Sequence, residues 1–424
     1  MSRFTSCFRR FITGFVVTFI FLLIFYSSIW VSDSSMVMVG VKYYLCDGLV
    51  IIDTLSCLMI FLTSIIWLVL WLVGSKDIVL FISVFSAMLT YVVSKSLVFW
   101  FFYELSIIRA LYMLIVGSPY PERYISRWYF GGYILLSSVP LLLGICFIGL
   151  NSGRFKVILW DKGDMCDSYG AFLLIIVMFL TKIPVFPFHG WLPLVHAEAR
   201  SPVSIILSGY IMKLGLVGLV RLCGWLLIDY IYYFSTFLLC YRVVYLVAAV
   251  FECDSKRWLA YLRLSHILIG VCILLTSTYC GDYLAFIYCL GHGLSVALLF
   301  MIIWFGYEIS GSRKWGILVK IFGGGLIMHF IMGFVFLKVC GFPPALQFFG
   351  ELWLVIKYIT LGDIISLLLV SIYIFSGRII GFIIYGLVIC SPINTRYEYS
   401  GGLDKFLFCI MYLSLLNLIL FIVL

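Results

Sequence analysis

Long apolar runs, separated by short polar or charged segments, dominate this chain. A helix of roughly 20 apolar residues crosses the hydrocarbon core of a bilayer. Breaking the runs at glycine, proline and charge clusters predicts spans near residues 11–30, 49–73, 77–95, 97–116, 129–150, 170–191, 203–222, 227–251, 259–277, 282–304, 320–360, 364–389 and 406–424, about thirteen in all. The basic start of the chain, Met1 to Arg10, resembles a signal peptide. The run after it is long enough to span and lacks a small-residue cleavage site, so it is expected to stay as a helix.

Two spans cannot be straight helices. The eleventh is too long for one crossing and carries Gly341, Pro343 and Pro344, while the sixth carries Pro184, Pro187 and Pro193. Proline removes a backbone donor and clashes with the preceding turn, so each is expected to be two half-helices joined by an unwound segment. The interruptions resemble each other: Lys182-Ile-Pro-Val-Phe186-Pro187 follows Phe179-Leu180, and Lys338-Val-Cys-Gly-Phe342-Pro343 follows Phe336-Leu337. Each is the fourth span of a five-span unit, 77–222 and 227–389, with 1–76 before them and 390–424 after. Five is odd, so successive units enter the membrane from opposite sides and the repeat is inverted, as in transporters built on paired broken helices.

Composition agrees. Of 424 residues, 64% are hydrophobic and only 11% charged, too little polar surface to coat a soluble core. The expected class is an all-α polytopic membrane protein. The net charge of +9 is spread over connecting segments rather than one stripe, which excludes a nucleic-acid surface. Arg3, Arg9, Arg10, Lys76, Arg123, Arg127, Arg200, Lys256, Arg257, Arg313, Lys314, Arg396 and Lys405 sort to one side, and Lys42, Lys95, Arg154, Lys156, Lys162 and Arg221 to the other. The positive-inside rule then puts the N-terminus in the cytoplasm or its organellar equivalent. The 14 cysteines form no CxxC pair and read as small buried hydrophobes.

An ionisable side chain at mid-span costs roughly 2.5–3.5 kcal/mol, so it needs a partner, water or a function. Glu104 lies among aromatics in the fourth span. It is either a carboxylate in a structural ion pair or a proton site set by a neighbouring cation. Lys182 at the first break and Lys213 within the seventh span suit proton transfer in a dry site, or else pair with helix carbonyls. His292, between Gly291 and Gly293, is expected to relay protons, its glycines leaving room for water. His266 is expected near a helix start, His189 and His196 at the first break or its exit loop, and His329 has the weakest functional signal. Glu351 is expected to open the second half-helix, as a capped anion or as the exit group, with Lys338 as its partner. No phosphate loop, nucleotide fold or nucleophile elbow occurs.

Phe102-Tyr-Glu104, Thr181-Lys182-Ile-Pro, Phe188-His189-Gly-Trp-Leu-Pro193, Val195-His196-Ala-Glu198-Ala, Lys213-Leu-Gly, Lys256-Arg-Trp-Leu-Ala-Tyr261, Gly291-His292-Gly-Leu and Phe342-Pro-Pro344 with Gly350-Glu351-Leu look like the antiporter-like membrane subunits of NADH:ubiquinone oxidoreductase, respiratory complex I. The resemblance runs from Asp53 onward. It implies two inverted five-helix repeats with broken fourth helices, one N-terminal helix fewer than the family's fourteen, and a relay of Glu104, Lys182, Lys213, His292 and Glu351. It also implies a mitochondrial inner-membrane location, other membrane-arm subunits as partners, and NADH, flavin, iron-sulfur clusters and ubiquinone on partner chains, with no cofactor on this one. Lys338 is an unexpected cation at the second break, and Arg200 another near the first. The alternative is a stand-alone or Mrp-type cation/proton antiporter.

Overall fold

The computed structural model describes residues 43–45, 49–75, 77–117, 123–157, 160, 165–230, 232–276, 281–322, 326–391 and 404–423. Within them, helices account for nearly everything, beside one short hairpin of β1 (Tyr43–Leu45) and β2 (Val50–Ile52). The expected span 11–30 lies outside the described residues.

The helices in chain order are α1 (Thr54–Val73), α2 (Ile78–Val92), α3 (Ser96–Gly117), α4 (Arg123–Asn151), α5 (Met165–Lys182), α6 (Trp191–Glu198), α7 (Ser201–Ile206), α8 (Met212–Tyr230), α9 (Tyr232–Val250), α10 (Ser255–Thr276), α11 (Gly281–Ser310), α12 (Trp315–Phe322), α13 (Leu326–Val339), α14 (Gln347–Leu361), α15 (Ile364–Cys390) and α16 (Asp404–Val423). Among the described residues, 8 helices are long and apolar enough to cross a membrane. Four shorter apolar helices fall where the sequence predicts spans 77–95, 170–191, 227–251 and 320–360.

Burial separates the helices by role. The membrane-spanning stretches of α7–α8, α10 and α11 are almost wholly enclosed, whereas α15 and α4 present broad apolar faces such as Leu135, Leu143, Leu368 and Phe375. Apolar surface of that kind is compatible with lipid or with neighbouring chains. Lys213, His266 and His292 lie on the enclosed helices, and Glu104, Lys182 and Glu351 on helices that pack against these or against the π turn between α7 and α8.

The two interruptions form by different local rules. In the first, α5 ends at Lys182 because Pro184 two residues on cannot continue the ladder. A short 3₁₀ turn, Phe188–Gly190, then leads into α6. In the second, Gly341 adopts φ +70°, and the amides of Phe342 and Gly341 bond back to the carbonyls of Leu337 and Lys338, a Schellman stop for α13. The half-helix after the first break runs on to Glu198, beyond the expected limit of 191. The expected eleventh span, 320–360, takes in only the end of a separate helix, α12, ahead of the broken pair α13 and α14. A third interruption was not expected. Between α7 and α8 the chain makes a π-helical turn, Leu207–Ile211, of the kind often found at functional positions.

Among the described basic residues sorted to one side, Lys256 donates to the Ala199 carbonyl (2.7 Å), Arg313 donates to that of Ala197, and the backbones of Asp254 and Lys314 pair in a single β-bridge. Among those sorted to the other side, the backbones of Lys95 and Lys156 pair in the same way. Arg221 sits within α8 rather than in a connecting loop. Its Nη2 donates to Asp53 Oδ1 (3.0 Å) and to the Tyr91 carbonyl (2.7 Å), tying the start of α1 to the end of α2. Asp53 also caps α1 through a reciprocal pair of bonds with Ser56.

Candidate functional site

The first half of the site is built on the first break. Lys182 is the last residue of α5, where the helix dipole favours a cation, and its Nζ lies 3.4 Å from Glu104 Oε1 on α3. Both are enclosed. The Tyr103 ring covers the ammonium at 5.7 Å, within cation–π range. The expected Glu104–Lys182 pair is thus present, with Glu104 Oε2 left without a partner.

Lys213 follows the π turn. There the Met212 amide reaches back to the Leu207 carbonyl, one residue further than in an α-helix, and the Lys213 ammonium donates to the carbonyl of Ser208. Lys213 has no exposed surface, so this mid-span lysine faces the interior of the protein. Its bond to a helix carbonyl was one of the two alternatives for it, and the carbonyl is one that the irregular turn presents.

His292 lies in α11 at the meeting point of the two other interruptions. A Cβ on Gly291 would fall 2.6 Å from Leu346 Cβ and 3.1 Å from the Gln347 nitrogen, at the start of α14. A Cβ on Gly293 would fall 2.8 Å from Leu62 and 3.3 Å from the Gly209 carbonyl in the π turn. The two glycines are therefore filled by approaching neighbours and do not open a water space, which corrects the expectation. They place His292 between the turn that carries Lys213 and the half-helix that carries Glu351. Both ring nitrogens of His292 are buried without a hydrogen-bond partner. Its neighbours by charge are Lys213, His266 and Arg263.

Beyond His292, the His266 ring is 6.0 Å away, centroid to centroid. His266 lies mid-helix in α10, not at a helix start. Its Nδ1 is 2.6 Å from the Tyr373 hydroxyl, and its carbonyl accepts from the Tyr288 hydroxyl at 3.0 Å.

Glu351 is in the second turn of α14, past the first turn where a capped anion would sit, so of its two alternatives the capped anion does not apply. Its Oε2 is 3.8 Å from Arg378 Nη2 on α15, and a Cβ on Gly341 would come within 2.8 Å of its Oε1. The expected partnership with Lys338 does not form: Lys338 donates to the Ser414 carbonyl of α16, with its ammonium 4.1 Å from the Phe334 ring. Direction explains this. Lys338 ends α13 on the side facing α16, whereas Glu351 faces α15.

Two fully buried arginines escaped the sequence reading. Arg263 lies 3.3 Å from His196 Nε2 and 4.9 Å from the Phe300 ring, and Arg242 lies over the Tyr373 ring at 3.5 Å. The signal was available, since both interrupt apolar runs and cost as much to bury as Lys213 does. His196 is itself enclosed in α6, not in an exit loop, and Glu198 is buried at the end of that helix. His189 sits in the 3₁₀ turn, 5.0 Å from the Tyr245 ring. His329 is only partly buried, and its carbonyl lies 3.5 Å from the Tyr385 hydroxyl.

Interrupted membrane helices that converge on buried, titratable groups define an antiporter-like membrane subunit. Residues 94–377 match the NADH:quinone oxidoreductase/Mrp antiporter transmembrane family, and the chain belongs to it. Among curated relatives, NADH-ubiquinone oxidoreductase chain 4 of Locusta migratoria is 29% identical over 310 residues, covering 72% of this chain and 67% of that one. Chain 4 of Ascaris suum is 28% identical over 61% of this chain and 62% of the relative. Chain 4 of Ceratitis capitata is 30% identical over 62% and 60%. The match thus spans about three-fifths to two-thirds of these relatives' length. The fold is similar to that of a chain of the Mrp complex from Dietzia sp. DQ12-45-1b (TM-score 0.80, 16% identity, 97% of this chain and 92% of that chain). It is also similar to a chain of respiratory complex I from Thermus thermophilus (TM-score 0.74, 19% identity, 96% and 90%).

Proposed function

We propose that this chain is a proton-translocating membrane-arm subunit of NADH:ubiquinone oxidoreductase in the mitochondrial inner membrane, lying beside other antiporter-like chains. NADH, flavin, iron-sulfur clusters and ubiquinone would act on partner subunits, and this chain would contribute the proton route. One observation carries the proposal: buried titratable groups follow one another from Glu104 and Lys182 through Lys213, His292 and His266 to Glu351. Three helix interruptions expose backbone or bring side chains together along that line. A scaffold would be more stable with apolar residues there. Its working halves would be the five-helix units 77–222 and 227–389.

The physics of the route follows from the geometry. Opening the Glu104–Lys182 pair strips Lys182 of its counter-charge and repels a proton towards Lys213. Lys213 and His292 then hold like charges in one enclosed centre, beside the permanent cation of Arg263, so a proton arriving on one favours departure from the other. His266 and the Tyr373 hydroxyl lead towards Glu351. Lys338, turned to Ser414, stands outside this line.

The likeness to the Mrp complex favours one rival, a stand-alone or Mrp-type antiporter. The two separate on a native gel of mild-detergent extracts stained for NADH dehydrogenase activity, with this chain identified by mass spectrometry. Co-migration with a large, active complex is expected. Migration as a small, inactive species would reject the proposal in favour of the antiporter.

A further inference from the structure

Arg242 has no role in the route described above, yet its setting is unusual. It lies in α9, is about 1% exposed, and has Nε and Nη1 buried with no hydrogen-bond partner. The guanidinium also interacts with the Tyr373 and Cys272 side chains, but buried donors left over from those contacts are costly unless an anion compensates them. The anion that faces it is Glu351, which interacts electrostatically with both Arg242 and Arg378.

The two arginines differ in freedom. The Arg378 side chain is 27% exposed and rests against the Phe342 ring. Arg242 is enclosed, with its guanidinium carbon over the ring of Tyr373, whose hydroxyl meets His266 Nδ1 at 2.6 Å. The remaining groups facing Glu351 are Tyr288 of α11, Tyr373 of α15 and Cys340 of the second break.

We propose that Arg242 is a positioning residue: a fixed guanidinium that holds the Tyr373 ring in line with His266 and draws the Glu351 carboxylate towards that hydroxyl, while the freer Arg378 is the cation that parts from Glu351 as the carboxylate takes up a proton. This rests on the proton-route reading above. It adds to that route a permanent charge that no proton step consumes.

The test uses the assembled complex in sealed membrane vesicles, reading protons moved per NADH oxidised and the amount of complex present. Arg242→Met is expected to lower the proton ratio by about tenfold or more, as lost alignment does. Arg242→Lys should restore most of it, and Arg242→Met with Glu351→Gln should be no worse than Glu351→Gln alone, since one residue acts through the other. Should Arg242→Met fail to assemble, Tyr373→Phe keeps the stacked ring and removes only the hydroxyl, and a comparable loss is expected. Normal pumping by Arg242→Met or Tyr373→Phe alongside a disabled Glu351→Gln would overturn the proposal and leave the route standing. An Arg242→Lys as poor as Arg242→Met would overturn it too, whereas normal pumping by Glu351→Gln would overturn the route itself.

Discussion

Gly291 offers the most direct perturbation of how the helix interruptions meet. Replacing it with alanine puts a Cβ 2.6 Å from Leu346 Cβ, with the Leu346 carbonyl carbon at 3.3 Å and the Gln347 nitrogen at 3.1 Å. Carbon atoms prefer about 3.5–4.0 Å, so the start of α14 must withdraw by roughly 1 Å from α11. The obstacle is backbone and Cβ, not the flexible end of a side chain, so rotamer changes cannot relieve it. Overpacking of this kind costs about 1–3 kcal/mol. The functional effect is expected to be larger, because a misplacement of about 1 Å between reacting groups can cost about 10²-fold in rate and α14 carries Glu351. Protons moved per NADH oxidised should fall at least tenfold while much of the complex still assembles. Gly386→Ala, with nothing within 4 Å of the new methyl, is the control and should leave both quantities unchanged. Normal pumping by Gly291→Ala at normal abundance would refute the claim that the packing of α14 on α11 aligns the relay.

Two further variants separate transport from architecture. Lys338→Met removes the bond to the Ser414 carbonyl and is expected to lower the amount of assembled complex, while the proton ratio of what remains stays near wild type; a loss matching that of Glu351→Gln would return Lys338 to the route. Arg221→Met removes the side-chain donor to the Tyr91 carbonyl and leaves Asp53 with only the Ser56 amide, costing about 1.5–3 kcal/mol, so the complex should lose thermal stability on heated native gels. Adding Asp53→Asn should recover part of that stability, and an unchanged melting profile in the single variant would remove the pair's role as a tie between α1, α2 and α8.

Much of this arrangement was legible in the chain. Pro184, Pro187, Gly341 and Pro343 mark the two broken helices because their effect is local, and Glu104 and Lys182 stand out as charges whose partners had to be found inside the membrane. What the sequence hid depends on tertiary direction. Nothing local tells that Lys338 turns to α16 while Glu351 turns to α15, or that Gly291 and Gly293 are filled by Leu346 and Leu62. The π turn before Lys213 has no proline or glycine pattern of its own beyond Gly209, and arises where α7 and the turn itself pack against α1 and α11. Arg221, sorted by charge with the connecting segments, finds Asp53 from within a helix. Arg242 and Arg263 were detectable by the same cost of burial that singled out Lys213.

Lys213 is the residue on which the account turns, enclosed at the third interruption and next to His292 by charge. The decisive measurement is the proton ratio of Lys213→Met in assembled complex, with NADH oxidation followed in the same sealed vesicles. Methionine is close to lysine in length and apolar, so the packing around α8 is kept while the ammonium is removed. Loss of proton movement in a complex of normal size and abundance is the predicted result. A complex that assembles and pumps at the wild-type ratio without this lysine would contradict the central claim that protons cross through the buried line.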